Sequence, residues 1–310
     1  MSFIALFPGQ GSQFPGMGKD WVQNFPYAGE WFSAASDQLG RDLRKLCFEG
    51  PEAELTKTEN TQPCLLLAAY VGFKILEREL GFKPGAAAGH SLGEYTALCA
   101  SGALGFADGL KLTRKRGELM AEAGRSGDGG MMAVIGLTVA EAERLCMEAG
   151  ADQVLVPANY NAPGQVVISA HVSTLERLQG SLKERKVRGV RLKVSGAFHS
   201  PLMQPAATGL AQALKAVKFN DFQFPVISNL AARPYPSPEA AAEILCRQVV
   251  SPVRWLESVQ YLAGMKPEAF VEIGPGKVLS GLCRKIAPEI PVYNFSEAKD
   301  LEALKGVMRT

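Results

Sequence analysis

The sequence has little net charge, no long apolar run and no paired cysteines. Its formal net charge is +2 over 310 residues, which is too small to indicate a nucleic-acid partner. No stretch approaches the ~20 apolar residues that a membrane helix needs. No basic segment precedes the short apolar run at the N-terminus, so a secretory leader is not expected. We therefore expect a cytoplasmic protein without a nucleic-acid or membrane partner.

The cysteines and histidines do not suggest a metal site. The six cysteines are scattered through mostly apolar segments without a C-x-x-C pair, which is typical of reduced thiols. We therefore expect neither a metal nor a cofactor, and the chain shows no internal repeats. With 47% hydrophobic residues, the chain is long enough for one large domain or two unequal ones.

The chain is organised around a G-x-S-x-G motif at residues 89–93, with its serine at Ser91. A small apolar run at 86–88 precedes the motif, and a helical segment at 95–100 follows it. This context is typical of a nucleophile elbow, in which a strained strand-to-helix turn presents the serine. An ordinary glycine-rich turn with a capping serine is the alternative.

A second glycine-rich loop follows the first apolar run. Residues 3–7 predict a buried strand, and the loop at 9–13 contains Gln10 between two glycines. Loops at the carboxyl ends of parallel strands line the ligand crevice of open α/β sheets. A phosphate-binding loop is the alternative, but the third glycine or the P-loop lysine is missing.

Apolar runs and helical periodicity predict an α/β fold. Strands are predicted at 3–7, 86–88, 226–228, 269–273 and 292–295. Helices are predicted at 21–47, 64–80, 106–123, 238–249, 252–263 and 277–286. We expect a hydrolase-like large domain with a mainly parallel sheet, formed by residues 1–124 and 197–310.

Residues 125–196 show a different pattern, which predicts a small inserted domain. Strands are predicted at 131–137, 154–156, 165–170 and 190–194, and helices at 138–149 and 173–186. Each helix begins with a capping-box pair, Thr138/Glu141 and Ser173/Glu176. The order β-α-β-β-α-β is that of a ferredoxin-like domain.

The helix at 106–123 carries an arginine on its apolar face. Arg116 shares an arc of the helical wheel with Leu112 and Met120, while Arg114 and Lys115 lie outside it. A desolvated guanidinium needs a partner, which is either a protein carboxylate or an anionic ligand. The wheel alone favours the structural ion pair.

A serine nucleophile needs a base, and His199 is the candidate by elimination. His90 adjoins the serine and is expected to point away from the turn as a structural residue. His171 is expected on the surface of the small domain. His199 lies where the chain returns to the large domain, and a buried structural histidine is the alternative.

With these residues identified, the chain closely resembles the malonyl-CoA:acyl carrier protein transacylases, from the N-terminus to about Ile286. Six motifs in the right order carry the resemblance: FPGQGSQ at 7–13, GHSLGEY at 89–95, KRG at 115–117, NYNAPGQ at 159–165, AFHSP at 197–201 and EIGPG at 272–276. The resemblance implies a ping-pong transfer in which Ser91 is acylated by malonyl-CoA and His199 acts first as base and then as acid.

The resemblance also implies roles for the residues around this pair. It assigns Arg116 to the free carboxylate of the malonyl group, and this outweighs the ion pair that the wheel favours. It places an oxyanion hole at the backbone amides of Leu92 and Gln10, and the carbonyl of Gln248 behind the histidine. The remaining implied positions are Phe198, which accompanies malonyl selectivity, and Asn161, which with Asn159 lies in a loop expected at the cleft.

The expected function is therefore malonyl transfer from CoA to the thiol of an acyl carrier protein, by a monomer. A hydrolase with a serine triad and a non-catalytic carrier-binding module are the alternatives, and the sequence leaves open whether fatty acids or polyketides are the product. Positive charges in the last helix and strand of the small domain suggest a docking face for an acidic carrier protein: Lys183, Arg185, Lys186, Arg188, Arg191 and Lys193.

Overall fold

The computed structural model describes residues 2–125, 127–150 and 153–308. Its strands are β1 (Phe3–Phe7), β2 (Ala86–Gly89), β3 (Gly129–Ile135), β4 (Leu155–Ala162), β5 (Gln165–His171), β6 (Arg188–Arg191), β7 (Val226–Ile227), β8 (Ala269–Ile273) and β9 (Val292–Phe295). The early helices are α1 (Lys19–Asn24), α2 (Ala28–Leu39), α3 (Leu43–Glu49), α4 (Glu52–Leu55), α5 (Thr58–Leu80), α6 (Leu92–Ala100) and α7 (Phe106–Ala123). The later helices are α8 (Val139–Gly150), α9 (Val172–Glu184), α10 (Gln204–Leu214), α11 (Ala241–Gln248), α12 (Trp255–Gly264), α13 (Val278–Ile286) and α14 (Asp300–Met308).

Five strands form a parallel sheet in the order β7-β2-β1-β8-β9. The apolar run of β1 lies at its centre, and Ile4, Leu6 and Phe7 are fully buried. Such runs are typical of strands covered on both faces by helices. The predicted strands of this sheet are confirmed, with boundaries within one residue.

Four strands form an antiparallel sheet in the order β4-β5-β3-β6. Helices α8 and α9 cover one face, where Met132 and Val134 of β3 join a buried apolar cluster with Leu175 and Leu178. Because side chains alternate along a strand, Met131, Ala133 and Ile135 lie on the opposite face. The predicted order of two helices and four strands is confirmed.

Two details of the smaller sheet were predicted wrongly. Asn159 and Asn161 lie within β4 rather than in a loop, because β4 continues pairing with β5 through two register shifts. The N-cap of α9 is His171 instead of Ser173, whose hydroxyl donates to Gln153 from inside the helix. The Thr138/Glu141 capping box is formed as predicted, with hydrogen bonds in both directions.

The helices of the N-terminal third differ from the predicted ones. The segment predicted as one helix at 21–47 is three helices, interrupted at Pro26 and at Gly40, which has a φ of 58°. Helix α5 begins at Thr58 and includes Pro63, because the residues before the proline are buried against the rest of the unit. Helices α4, α10 and α14 were not predicted.

The two sheets meet where the chain crosses between them. A Cβ on Gly124 would lie 2.1 Å from the carbonyl oxygen of Ser195, so the outgoing and returning segments are in direct contact. A second contact joins Asn159 of β4 to Val253 through a parallel bridge. Among the helices of the described residues, none has the length and apolar character needed to span a bilayer.

Candidate active site

Ser91 lies on a strained turn between β2 and α6. Its φ of 52° and ψ of −102° are outside the regions that L-residues favour. A Cβ on Gly89 would lie 1.9 Å from the backbone of Gly93, and one on Gly93 would lie 2.1 Å from the carbonyl oxygen of Phe7. Glycine is therefore required at both positions for the helix to approach β1 and β2 this closely. This geometry is that of a nucleophile elbow rather than an ordinary capped turn.

His199 lies beside this serine. The distance from Ser91 Oγ to His199 Nε2 is 2.7 Å, and Nδ1 lies 2.9 Å from the carbonyl oxygen of Gln248. Since a carbonyl only accepts, we assign the ring proton to Nδ1, which leaves Nε2 free to accept from the serine hydroxyl. Burial, together with the nearby charge of Arg116, lowers the pKa of His199 to about 3. The imidazole is therefore neutral near pH 7 and available as a base.

Arg116 is buried, and its hydrogen-bond partners are two side-chain amides and the hydroxyl of Ser91. Its Nη1 donates to Gln62 Oε1 at 2.7 Å, and Nη2 donates to Gln248 Oε1 at 3.0 Å and to Ser91 Oγ at 3.1 Å. Throughout 2–125, 127–150 and 153–308, no carboxylate oxygen lies within 4.0 Å of the guanidinium. The structural ion pair that the helical wheel favours is therefore wrong.

A cleft of about 110 Å³ opens above these side chains. Both units contribute polar and apolar residues to its lining: Gln10, His90, Ser91, Leu92, Arg116, Met120, Met131, Asn159, Leu192, Val194, Phe198 and His199. Leu92 is the first residue of α6, so its amide belongs to the first turn, where backbone N–H groups lack an intrahelical acceptor. The predicted positions Gln10, Leu92 and Phe198 all border the cleft.

Asn159 and Asn161 occupy different positions relative to the cleft. Asn159 lines the cleft and Asn161 does not; instead, Asn161 Oδ1 lies 2.9 Å from His90 Nε2. His90 borders the cleft, and its ring packs near Trp255, with 5.6 Å between ring centroids. The contacts of the ring with Asn161 and Trp255 fit the structural residue that was expected.

Sequence reasoning missed the side chains beneath the elbow. Asn229 Oδ1 accepts from the amide of Ser91 at 2.7 Å, and its Nδ2 donates to the carbonyl of Gly89 at 2.7 Å. Glu94 is fully buried and accepts from Gln248 Nε2 at 2.7 Å. Two signals were present in the sequence, since Asn229 follows a strand of the parallel sheet and Glu94 is a charge in an apolar helix.

The side chain of Gln248 connects Ser91, Glu94 and Arg116 through hydrogen bonds. The sequence implied only that its backbone carbonyl contacts the histidine. The Nε2 of Gln248 donates to the carbonyl of Ser91 at 3.0 Å as well as to Glu94, and its Oε1 accepts from Arg116. A nucleophile elbow on a parallel α/β sheet, with a histidine at the serine, defines the class of serine acyl-transfer enzymes.

Comparisons with known proteins agree with this class. Residues 4–294 match the acyl transferase domain family, and the chain belongs to that family. It is 41% identical over 302 residues to the malonyl CoA-acyl carrier protein transacylase of Escherichia coli K12, covering 97% of this chain and 98% of that protein. The corresponding protein of Bacillus subtilis 168 is 43% identical over 307 residues, covering 97% and 96%.

Solved structures with the same fold include two that bear on function. The malonyl CoA-acyl carrier protein transacylase of Coxiella burnetii superposes with a TM-score of 0.97 at 38% identity, covering 100% of this chain and 98% of that one. A malonyl-transacylase in complex with its type II polyketide acyl-carrier protein gives a TM-score of 0.96 at 39% identity, covering 99% and 100%.

Proposed function

We propose that the protein transfers a malonyl group from malonyl-CoA to the phosphopantetheine thiol of an acyl carrier protein, through a malonyl ester on Ser91. The position of Arg116 carries this proposal. Its guanidinium lies 3.1 Å from the serine oxygen, is buried, and has amide rather than carboxylate partners. A cation placed there is suited to an acyl group that ends in a carboxylate.

In the first half-reaction, His199 Nε2 takes the proton of the Ser91 hydroxyl as Oγ attacks the thioester carbonyl of malonyl-CoA. The backbone N–H groups of Leu92 and Gln10 donate hydrogen bonds to the oxyanion of the tetrahedral intermediate and stabilise its negative charge. The carbon–sulfur bond then breaks, and the histidine returns the proton to the sulfur. CoA leaves as a thiol, and the malonyl group remains as an ester on Ser91.

The second half-reaction repeats these steps in reverse with a different thiol. His199 takes the proton from the pantetheine thiol of the carrier protein, and the sulfur attacks the malonyl ester. The proton returns to Ser91 Oγ as the ester bond breaks. The carbonyl of Gln248 holds Nδ1–H throughout, so the ring keeps one orientation and one tautomer.

The geometry favours this transfer over simple hydrolysis. A serine hydrolase orients its histidine with a buried carboxylate, whereas here a neutral backbone carbonyl takes that position. A module that only bound carrier proteins would not require the strained serine or the neutral base beside it. The transfer balances without a metal or a redox cofactor.

We propose further that residues 1–124 and 197–310 form a hydrolase-like large domain and residues 125–196 a ferredoxin-like small domain. The parallel sheet supports the first assignment, and the β-α-β-β-α-β order with two helices on one face supports the second. We also propose a cytoplasmic monomer, which gel filtration and cell fractionation test.

Incubation with radiolabelled malonyl-CoA, with and without a holo acyl carrier protein, tests the function. We expect label on the enzyme alone in the first case and transfer to the carrier protein in the second. An apo carrier protein, which lacks the pantetheine thiol, is the control and should receive none. Release of free malonate at the same rate with and without the carrier would instead identify a hydrolase.

A further inference from the structure

A fully buried carboxyl group lies directly beneath the nucleophile. Glu94 is in the first turn of α6, three residues after Ser91, and is 0% exposed. It accepts hydrogen bonds from Gln248 Nε2 at 2.7 Å, from the amide of Asn229 at 3.1 Å and from the hydroxyl of Tyr235. The proposed mechanism does not use this group.

One amide connects Glu94 to Arg116. The Nε2 of Gln248 donates to Glu94, and its Oε1 accepts from Nη2 of Arg116. A carboxylate only accepts and a guanidinium only donates, so both neighbours require the same orientation of the amide. The two charges therefore face each other across a single side chain, in an interior where Coulomb interactions are strong.

Because the amide of Gln248 lies between Glu94 and Arg116, the arginine can still bind a further anion. A direct bidentate ion pair would occupy two donors of Arg116, whereas the relay through Gln248 occupies one N–H of Nη2. In the part of the chain that the structure describes, Nε of Arg116 has no hydrogen-bond partner although it is buried. Nη2 of the same guanidinium lies 3.1 Å from Ser91 Oγ, so a group with an unsatisfied donor borders the reacting oxygen, and an anionic ligand would complete it.

We propose that Glu94 is the counter-charge of Arg116 in the empty site, and that the substrate carboxylate takes over this role while Glu94 takes up a proton from solvent. Glu94 has this role only if the acyl group carries a free carboxylate, as the proposed function requires. Glu94 would then be a positioning and specificity-determining residue, acting on the substrate through Gln248 and Arg116.

The proton uptake follows from repulsion between two carboxylates that share one cation. Burial raises the pKa of Glu94 to about 7, so a further rise on substrate binding changes its protonation at neutral pH. The other titratable groups around it do not compete, because burial raises the pKa of both Tyr235 and Tyr95 and lowers that of His199. When Oε1 of Glu94 is protonated, its new O–H can donate to the oxygen of Tyr235, which reverses that hydrogen bond, while Oε2 still accepts from Gln248 and from the backbone of Asn229.

Proton uptake on formation of the malonyl-enzyme tests the proposal directly. A pH-indicator dye in weak buffer reports the protons bound when malonyl-CoA is added to the enzyme. The chemical step itself contributes almost nothing at pH 7, since the serine proton ends on a thiol that remains protonated. We expect wild type to take up as much as about half a proton per acylated serine, because roughly half of Glu94 is already protonated in the empty site.

Glu94→Gln removes the titrating group with little change of shape, and we expect its malonyl-enzyme to form without proton uptake. Glu272→Gln is the matched control. Glu272 is also fully buried with a raised pKa, but its partners are Leu279, Ser280 and Asn294, so wild-type uptake should persist.

Tyr235→Phe keeps the test decisive if Glu94→Gln does not fold. Loss of the tyrosine hydroxyl removes a hydrogen bond that lowers the pKa of Glu94, so more of Glu94 is protonated before acylation and the uptake at pH 7 should be smaller than in wild type. A wild-type malonyl-enzyme that forms without proton uptake, or equal uptake in Glu94→Gln, would overturn the role of Glu94 and leave the proposed function standing. Failure of wild type to form a malonyl-enzyme would overturn both.

Discussion

The floor and the wall of the cleft differ in chemistry. We call the side chains Ser91, Arg116, His199 and Gln248 the floor, and Met131, Leu192 and Val194 the wall. The floor belongs to the parallel-sheet unit, and its groups are joined by hydrogen bonds of 2.7 to 3.1 Å. The wall comes from β3 and the segment after β6, and it is apolar.

This difference indicates that the two units contribute separately to function. The floor fixes orientation and protonation, because each of its polar groups has a partner that only donates or only accepts. The wall shapes the cleft, and the neighbouring edge strand of the smaller sheet, β6, carries the exposed side chains of Arg188 and Arg191. Substitutions in the floor should therefore affect the rate of acyl transfer, and substitutions on β6 should affect association with the carrier protein.

The largest effect is expected in the floor. Ser91→Ala should abolish the malonyl-enzyme, and His199→Ala should lower the transfer rate by roughly four orders of magnitude, because the hydroxyl loses its base while the oxyanion hole remains. Intact-mass spectrometry and single-turnover kinetics measure the two effects. A malonyl adduct that persists on Ser91→Ala would place the nucleophile elsewhere.

The next effect concerns the backbone of the floor. Gly93→Ala places a Cβ 2.1 Å from the carbonyl oxygen of Phe7, so we expect severe destabilisation or failure to fold. Gly180→Ala in α9 is the matched control, since a Cβ there meets no described atom within 4 Å. It should stabilise the protein by about 0.5–1 kcal/mol. Thermal unfolding measures both, and a stable Gly93→Ala protein would contradict the close approach of α6 to β1.

Two buried groups of the site, Glu94 and His199, should change the stability of the protein with pH in opposite directions. The pKa of Glu94 rises from 4.5 to about 7 on folding, so its contribution to the free energy of unfolding falls as the pH rises through that window. The pKa of His199 falls from 6.5 to about 3, so its contribution rises with pH between those values. The two trends oppose each other between pH 4.5 and 6.5.

Glu94→Gln removes the falling trend. Relative to wild type, its free energy of unfolding should therefore gain about 1.4 kcal/mol per pH unit between pH 4.5 and 7. Urea unfolding at several pH values measures the difference. Parallel curves for the two proteins would mean that Glu94 titrates normally in the folded state.

The smallest effect is expected at β6, the edge strand of the smaller sheet, where the charged side chains alternate between the two faces. Arg188 pairs with Ile135 on the cleft side, whereas Arg191 pairs with Met132 on the side of the helices. Arg188→Glu should raise the KM for the carrier protein several-fold at low salt, and Arg191→Glu should raise it less. Neither should change the KM for malonyl-CoA, and equal effects of the two reversals would assign docking to net charge rather than to this face.

Much of the fold could be predicted because local patterns coincide with tertiary structure. The apolar run of β1 and the alternation around Met132 each have one stable placement in a layered α/β fold. The start of α5 at Thr58 could not be predicted, since polar residues before Pro63 become helical only through burial against neighbouring elements. The extension of β4 through Asn161 likewise depends on pairing with β5.

The strained turn at Ser91 was predictable, but the side chains that support it were not. The glycines around Ser91 mark a close approach of two backbones, and this signal is local. The partners of Arg116 come from three distant segments, and a helical wheel cannot distinguish the amides of Gln62 and Gln248 from a carboxylate. Glu94 and Asn229 meet only because the parallel sheet brings the ends of β2 and β7 together.

The central claim is that Arg116 recognises the free carboxylate of the acyl group that is transferred to Ser91. The ratio of kcat/KM for malonyl-CoA to that for acetyl-CoA, in wild type and in Arg116→Ala, tests it most directly. Loss of one partner of a buried ion pair costs about 3–5 kcal/mol, so the ratio should fall by roughly two to four orders of magnitude in Arg116→Ala. Arg116→Lys should restore it only in part, since an ammonium lacks the planar fork of donors. An unchanged ratio in Arg116→Ala would contradict the claim.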